Sequence, residues 1–193
     1  MFQETITDSS VKVQLEELRN EVTQLRKKVD DNVQNDDVNI ICFSGDWDRL
    51  YAALTIASGA LALGKNVHLF FTFWAVSALE RGDQVASPDK TILQKMFSWM
   101  LPCGPLKAPL SKMNMLGLGK MCVKQVMKQT GIEDIDVLYR DVVDLGAEIH
   151  VCETSTLLFG IKCEELADHE NIDRCGVTTF MTNALKSKMT LFI

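Results

Sequence analysis

Between Val38 and Phe71 the chain spells out a strand, a turn, a helix, a glycine stop and a second strand, and this run limits the fold more than any other. Val38 to Phe43 is a compact apolar stretch of the kind found in strands covered on both faces. Ser44-Gly45-Asp46 turns the chain, and Trp47 to Leu63, rich in small residues, reads as a helix. Gly64 stands where a left-handed helix stop is expected, and Asn66 to Phe71 is the second strand. Strand, helix and strand within about 35 residues make a right-handed crossover, which requires a parallel sheet.

The same rhythm continues downstream. Trp74 to Glu80 reads as a short helix closed by Gly82, and Pro88 to Met100 as another with its proline near the first turn. Ile135 to Leu145 is a helix stopped by Gly146, and it feeds a strand, Glu148 to Cys152. A last strand and helix are expected between Ile172 and Lys186. Residues 101–132 depart from the pattern, with lysines at 107, 112, 120, 124 and 128, methionines at 113, 115, 121 and 127, and no acidic residue. Such a basic, Met-rich excursion reads either as a lid, interface or partner surface, or as a helix–loop insertion whose methionines pack on the core.

Ahead of the sheet, Val11, Leu15, Leu18, Val22, Leu25 and Val29 alternate spacings of four and three. This heptad seam favours a parallel pair of helices, with Glu21 able to reach Arg26 of a partner; the other reading is an amphipathic helix folded back on its own domain. Asn32, Asn35, Asp36 and Asp37 then read as a linker. The expected organisation is therefore an N-terminal helix and linker over 1–37 and one α/β domain over 38–193, since 193 residues suffice for one core of ordinary size plus an appendage.

A net charge of −6 and a pI near 5.1 argue against a nucleic-acid binder, whose phosphate contacts need a basic surface. The first thirty residues are polar and helical, unlike a secretory leader, and the apolar run Ala52 to Leu63 is too short to span a bilayer. The expectation is a cytoplasmic protein. Its six cysteines, at 42, 103, 122, 152, 163 and 175, form no C-x-x-C pair and no zinc-finger spacing, so free thiols are expected, with no metal and no cofactor.

In an open parallel sheet, ligands bind beyond the carboxyl ends of the strands. Three segments meet that description: Ser44-Gly45-Asp46, Thr72-Phe73-Trp74, and the stretch from Cys152 through Thr154 and Ser155 to Thr156. Gly45 permits close backbone approach, but a single glycine is no phosphate loop, and Asp46 repels phosphate. Cys152 leaves a strand where a helix begins, with Thr154 and Ser155 placed to cap it. Free N–H groups and the positive end of the helix favour thiolate there. A helix end supplies about 0.3 to 1 kcal/mol, up to about 2 when partly buried, which is roughly one pKa unit. His150 stands two residues away along the strand, about 6.5 Å, too far to act directly as a base. Cys103, in a turn between Pro102 and Gly104, is a second candidate thiol if the excursion folds over the pocket, whereas Cys122, Cys163 and Cys175 have no evident partner. Ser/His/Asp triads, paired catalytic carboxylates and H-E-x-x-H are absent.

Taken in order, Asn39-Ile-Ile-Cys-Phe-Ser-Gly-Asp-Trp-Asp48, Val67-His-Leu-Phe-Phe-Thr-Phe-Trp74, Ser111-Lys-Met-Asn-Met-Leu-Gly117 and the Cys152 strand resemble the DsrE/DsrF/DsrH-like proteins, over roughly Val38 to Lys186. Within them they are most similar to the subgroup labelled peroxiredoxin-like or sulfurtransferase-like. The resemblance implies a flavodoxin-like three-layer sandwich, a mostly parallel sheet of about five strands, and assembly into oligomers. It also implies a sulfur relay, in which a cysteine after a late strand, matched here by Cys152, accepts sulfane sulfur as a persulfide and passes it to a partner protein. The Pro- and Thr-containing motif of a peroxidatic cysteine is not present. The expected function is thus a sulfur carrier or sulfurtransferase acting through Cys152, with Ser44, Gly45, Asp46, Thr72, Trp74, Thr154 and Ser155 around it. The alternatives are an oligomeric binding module in which Cys152 is structural, and a thiol redox sensor using Cys152 and Cys103.

Overall fold

The computed structural model of the chain describes residues 2–31, 35–81, 90–100, 104, 108–167 and 171–193. The chain divides into two units, Met1–Gln34 and Asn35–Ile193. The first is a single helix, α1 (Phe2–Asp31), on which Val11, Leu15, Leu18, Val22 and Leu25 are all exposed. A row of large apolar side chains at heptad spacing left open to water is a feature of helices that pair.

The second unit is built on a five-stranded, all-parallel sheet: β1 (Asn35–Cys42), β2 (Val67–Phe71), β3 (Glu148–Cys152), β4 (Ile172–Cys175) and β5 (Ser187–Phe192). Across the sheet the order is β4-β3-β2-β1-β5. From β1 to β4 the chain steps steadily in one direction, and then β5 jumps back to the far side of β1. Because parallel crossovers are right-handed, the helices before and after that reversal fall on opposite faces. Accordingly α2 (Trp47–Ala62) and α5 (Ile135–Asp144) pack together over one face, where Ile40, Leu69, Ile149 and Val151 are fully buried. The other face meets α7 (Val177–Lys186), whose Phe180 closes on Phe70, Cys152 and Cys175.

The βαβ run folds as its sequence implies: α2 ends at Ala62, Leu63 caps it, and Gly64 follows with φ +70°. β1 begins at Asn35, so residues that read as linker are strand. Asp36 is held there by Lys65 and Lys188, each 2.6 Å away, and these two lysines draw its carboxyl down to about 2. Trp74 to Glu80 is a 3-10 helix, Phe73–Leu79, rather than an α-helix. The helix expected from Pro88 starts at Ile92 and runs to Met100 (α3), and its Pro88 and the stop at Gly82 lie outside the described residues. β5 was not anticipated from the residues themselves. It follows α7 with no glycine or proline between them, and Lys188 near its start disguises an edge strand as the polar end of a helix.

The basic excursion contains a full helix, α4 (Leu118–Thr130), closed by Gly131 at φ +71°. Of its four methionines only Met127 is buried; Met113, Met115 and Met121 are exposed. Lys124 bonds Asp134 at 2.7 Å, and Asp134 in turn caps α5 through Ile135 N–H. The start of the segment is fixed to α2: Trp47 N–H donates to Pro109 O at 2.8 Å, and Asp48 accepts from both the backbone and the hydroxyl of Ser111. Two of the motifs that carry the family resemblance thus interlock.

Candidate functional site

Cys152 is the last residue of β3 and the residue from which the seven-residue helix α6 (Glu153–Phe159) begins, with φ −66° and ψ 116° at that junction. It is 8% exposed. Neither Thr154 nor Ser155 caps α6, because both lie inside its first turn; Cys152 itself takes the cap position, without a side-chain capping bond. The hydroxyl of Ser155 is engaged elsewhere. It accepts from the backbone N–H of Phe73 at 2.9 Å and lies 3.1 Å from Thr72 Oγ1. Phe73 presents that N–H from a left-handed backbone, φ 47°, which is uncommon for a residue with a side chain and costs about 1–3 kcal/mol where it is held.

These neighbours set the state of the thiol. Burial pushes the Cys152 thiol up, but the neighbouring Ser155 hydroxyl and N–H, the Thr72 hydroxyl and the Thr154 N–H favour its anion and pull it down. Their combined effect leaves it below its ordinary value. The other strand cysteine behaves oppositely: Cys42, 2% exposed inside β1, is raised to about 12 by burial. Where thiolate is the nucleophile, only the first of these sites is prepared for chemistry.

The sequence-derived pocket residues fall into two groups. Thr72, Thr154 and Ser155 act on Cys152, each lowering its thiol. Ser44, Gly45 and Asp46 follow β1, one strand further across the sheet. Ser44 Oγ donates to Asp46 Oδ2 at 2.7 Å, Asp46 lies 3.6 Å from Arg49, and a Cβ on Gly45 would come 2.6 Å from the carbonyl oxygen of Trp74. Trp74 connects the groups: its carbonyl accepts from Ser77 Oγ, while its half-exposed ring rests on Phe159 of α6 at 5.5 Å. Cys103 lies outside the described residues. His150 is buried in the sheet with Nδ1 3.3 Å from Asp173 Oδ2, in keeping with a packed rather than a catalytic histidine.

One neighbour escaped the sequence reading. Cys175 stands directly opposite Cys152 in the β3–β4 register, 9% exposed and in the same apolar cluster. Burial, Asp173 and Cys152 all push its thiol up, against a hydrogen bond from Thr179. The signal was present, since Cys152 and Cys175 both end a strand just before a helix; which strands are neighbours is decided only by the topology. An apolar cavity of about 210 Å³, lined by Cys42, Leu54, Phe71, Ile135 and Tyr139, lies on the opposite face of the sheet from Cys152.

An all-parallel α/β sheet that carries, at the carboxyl end of an inner strand, a thiol held by hydroxyl and backbone donors defines a class of thiol-bearing α/β proteins. Residues 34–192 match the profile of the DsrE/DsrF/DrsH-like family, and the chain belongs to that family. It is homologous to the "Uncharacterized protein YrkE" of Bacillus subtilis, with 37% identity over 154 residues, 80% of this chain and 94% of that protein. It is also homologous to the "Sulfur carrier protein DsrE2" of Allochromatium vinosum, with 26% identity over 159 residues, 80% of this chain and 96% of that one. No described helix is long and apolar enough to cross a membrane.

Proposed function

We propose that this chain is a sulfur carrier in which Cys152 accepts sulfane sulfur as a persulfide and hands it to a partner protein. The observation that carries the reading is the place of Cys152 at the carboxyl end of β3 and the start of α6, beside the linked Thr72 and Ser155 hydroxyls, where its thiol is held below the ordinary value. A relative named as a sulfur carrier protein supports it. In the loading step the Cys152 thiolate attacks the outer sulfur of a donor. With thiosulfate, a bond forms between Sγ and the sulfane sulfur, the sulfur–sulfur bond of thiosulfate breaks, and sulfite leaves with the electron pair. In the unloading step an acceptor thiolate attacks the terminal sulfur, and Cys152 leaves as thiolate. Neither step consumes an external oxidant or reductant. The donors that lower the thiol also favour its departure, because a better-stabilised thiolate leaves faster.

The protein works in a reducing, cytoplasmic setting, where its thiols stay free, and it pairs through α1 as a parallel coil. To test the carrier reading, the full chain is incubated with thiosulfate or polysulfide and its intact mass and peptide map are recorded. The expected product is one added sulfur on Cys152, absent from Cys152→Ser. No adduct on Cys152, together with iodoacetamide labelling that follows an ordinary thiol's pH profile, would sink it. A second reading, a thiol redox switch, is favoured by the register that sets Cys175 against Cys152; the alternative partner Cys103 lies outside the described residues.

A further inference from the structure

On the α7 face of the sheet, upstream of the thiol, side chains two apart on neighbouring strands form a polar row. The register sets His68 of β2 beside Glu148 of β3, and His150 of β3 beside Asp173 of β4. His68 Nδ1 lies 3.0 Å from Glu148 Oε2, and His150 Nε2 lies 3.5 Å from the same oxygen. The far nitrogens also face carboxylates. His150 Nδ1 is 3.3 Å from Asp173 Oδ2, and His68 Nε2 is 3.9 Å from Asp37 Oδ2, whose other oxygen accepts from Asn66 at 2.8 Å.

The two inner nitrogens, His68 Nδ1 and His150 Nε2, are shut off from solvent and have no hydrogen-bond partner, and His150 as a whole is only 7% exposed. With Asp173 taking the Nδ1 proton, the neutral His150 ring aims its Nε2 lone pair at a carboxylate oxygen. His68 Nδ1 faces the same oxygen at 3.0 Å without a hydrogen bond. A ring lone pair and an anion facing one another repel, and a cation between them reverses the sign.

We propose that His68 Nδ1, His150 Nε2 and the Glu148 carboxylate bind one divalent transition-metal ion of the zinc type. Tetrahedral ligand atoms at about 2.0–2.1 Å from zinc stand about 3.3 Å apart. The separations of 3.0 and 3.5 Å straddle that value, and all three atoms lie within 4.8 Å of one another. The imidazole planes differ by only 25°, so binding turns one ring about χ2, a soft torsion. Asp173 acts as the outer carboxylate that fixes the His150 tautomer beside a metal. Two imidazoles and one carboxylate suit a borderline ion, not calcium or magnesium. Glu148 is 62% exposed and borders a cleft of about 570 Å³ shared with His150, Asn171 and Asp173, so a fourth ligand enters from solvent. Three ligands on two strands leave no spacing motif to read.

The test is calorimetric titration of the full chain, carrying Cys122→Ser to remove the exposed thiol, with Zn²⁺. One equivalent per chain is expected. His68→Gln and Glu148→Gln should each weaken binding about tenfold or more, whereas Cys152→Ser and Cys175→Ser leave it unchanged. Co²⁺ should bind without a thiolate charge-transfer band. Thermal unfolding of the His68 and Glu148 variants in EDTA, matching that of the parent, shows that they fold. No stoichiometric binding, a loss smaller than tenfold in either variant, or a loss caused by Cys175→Ser alone, which would move the ion to the neighbouring His150, Asp173 and Cys175 set, overturns the assignment.

Discussion

Ser155 Oγ sits 2.9 Å from the backbone nitrogen of Phe73 and accepts its hydrogen, and the same hydroxyl holds the thiol of Cys152 down. The strained Phe73 backbone thereby orients a hydroxyl that stabilises a thiolate. Removing that hydroxyl removes a donor to the anion and leaves the burial that opposes it, so the thiol rises. In Ser155→Ala the midpoint of iodoacetamide labelling against pH should move up by about one to two units, since hydrogen bonds to charged groups contribute about 1.5–3 kcal/mol. Ser155→Thr, which retains the hydroxyl, should restore most of the shift. A midpoint that stays put in Ser155→Ala would show that the backbone N–H groups hold the sulfur by themselves.

Cys152 and Cys175 are register partners on adjacent parallel strands. Neighbouring strands lie about 4.8 Å apart, inside the Cα separation of about 4.4–6.8 Å that a disulfide spans. Mild oxidation with diamide should therefore give a product lighter by two hydrogens, with a peptide linking 152 to 175, and should block persulfide loading until reduction. Cys175→Ser should abolish the cross-link and still load sulfur. A cross-link to any other cysteine would contradict the register.

Asp48 joins the start of α2 to the basic excursion by accepting from Ser111 N–H at 2.8 Å and from the Ser111 hydroxyl. Burial raises its carboxyl, but the two Ser111 donors outweigh that and the group ends below its ordinary value. A depressed folded pKa means that the stabilisation is present above the unfolded value of about 3.9 and is lost as pH falls through the folded one. Asp48→Ala should cost about 1–3 kcal/mol, a fall in Tm of about 2–12 °C at this size. The gap to the parent should close as pH drops below about 4. A gap independent of pH would mean that packing at Asp48, not its charge, does the stabilising.

Local pattern explains what was readable in the chain. Glycine stops at 64 and 146, the apolar run at 38–43 and the short strand pattern at 148–152 specify elements within their own few residues, and Cys152 stood out because a strand end and a helix start are also local features. What stayed hidden depends on which strands become neighbours. Cys175, and the row His68, Glu148, His150 and Asp173, are brought together by pairings of β2, β3 and β4 that lie some 80 and 20 residues apart in the chain, about the span of a crossover or longer. β5 hid for a different reason: as an edge strand it has a polar start and follows its helix without a turn residue.

The heptad helix is the remaining element whose role is testable by mass alone. In α1 the side chains of Val11, Leu15, Leu18, Val22 and Leu25 are exposed, and such a seam gains stability only when a second helix covers it. The comparison should use a chain starting at Asn35, because a start at Val38 would cut into β1 and remove Asp36, which binds Lys65 and Lys188. Light scattering should give the full chain a larger oligomer than this truncated one, and Leu18→Glu, which puts a charge into the seam, should reproduce the truncation. Both forms should load sulfur on Cys152 alike, since its donors all come from residues 72 to 155. If full and truncated chains have the same number of subunits, the seam has no partner helix, and whatever assembly exists is made by the α/β unit.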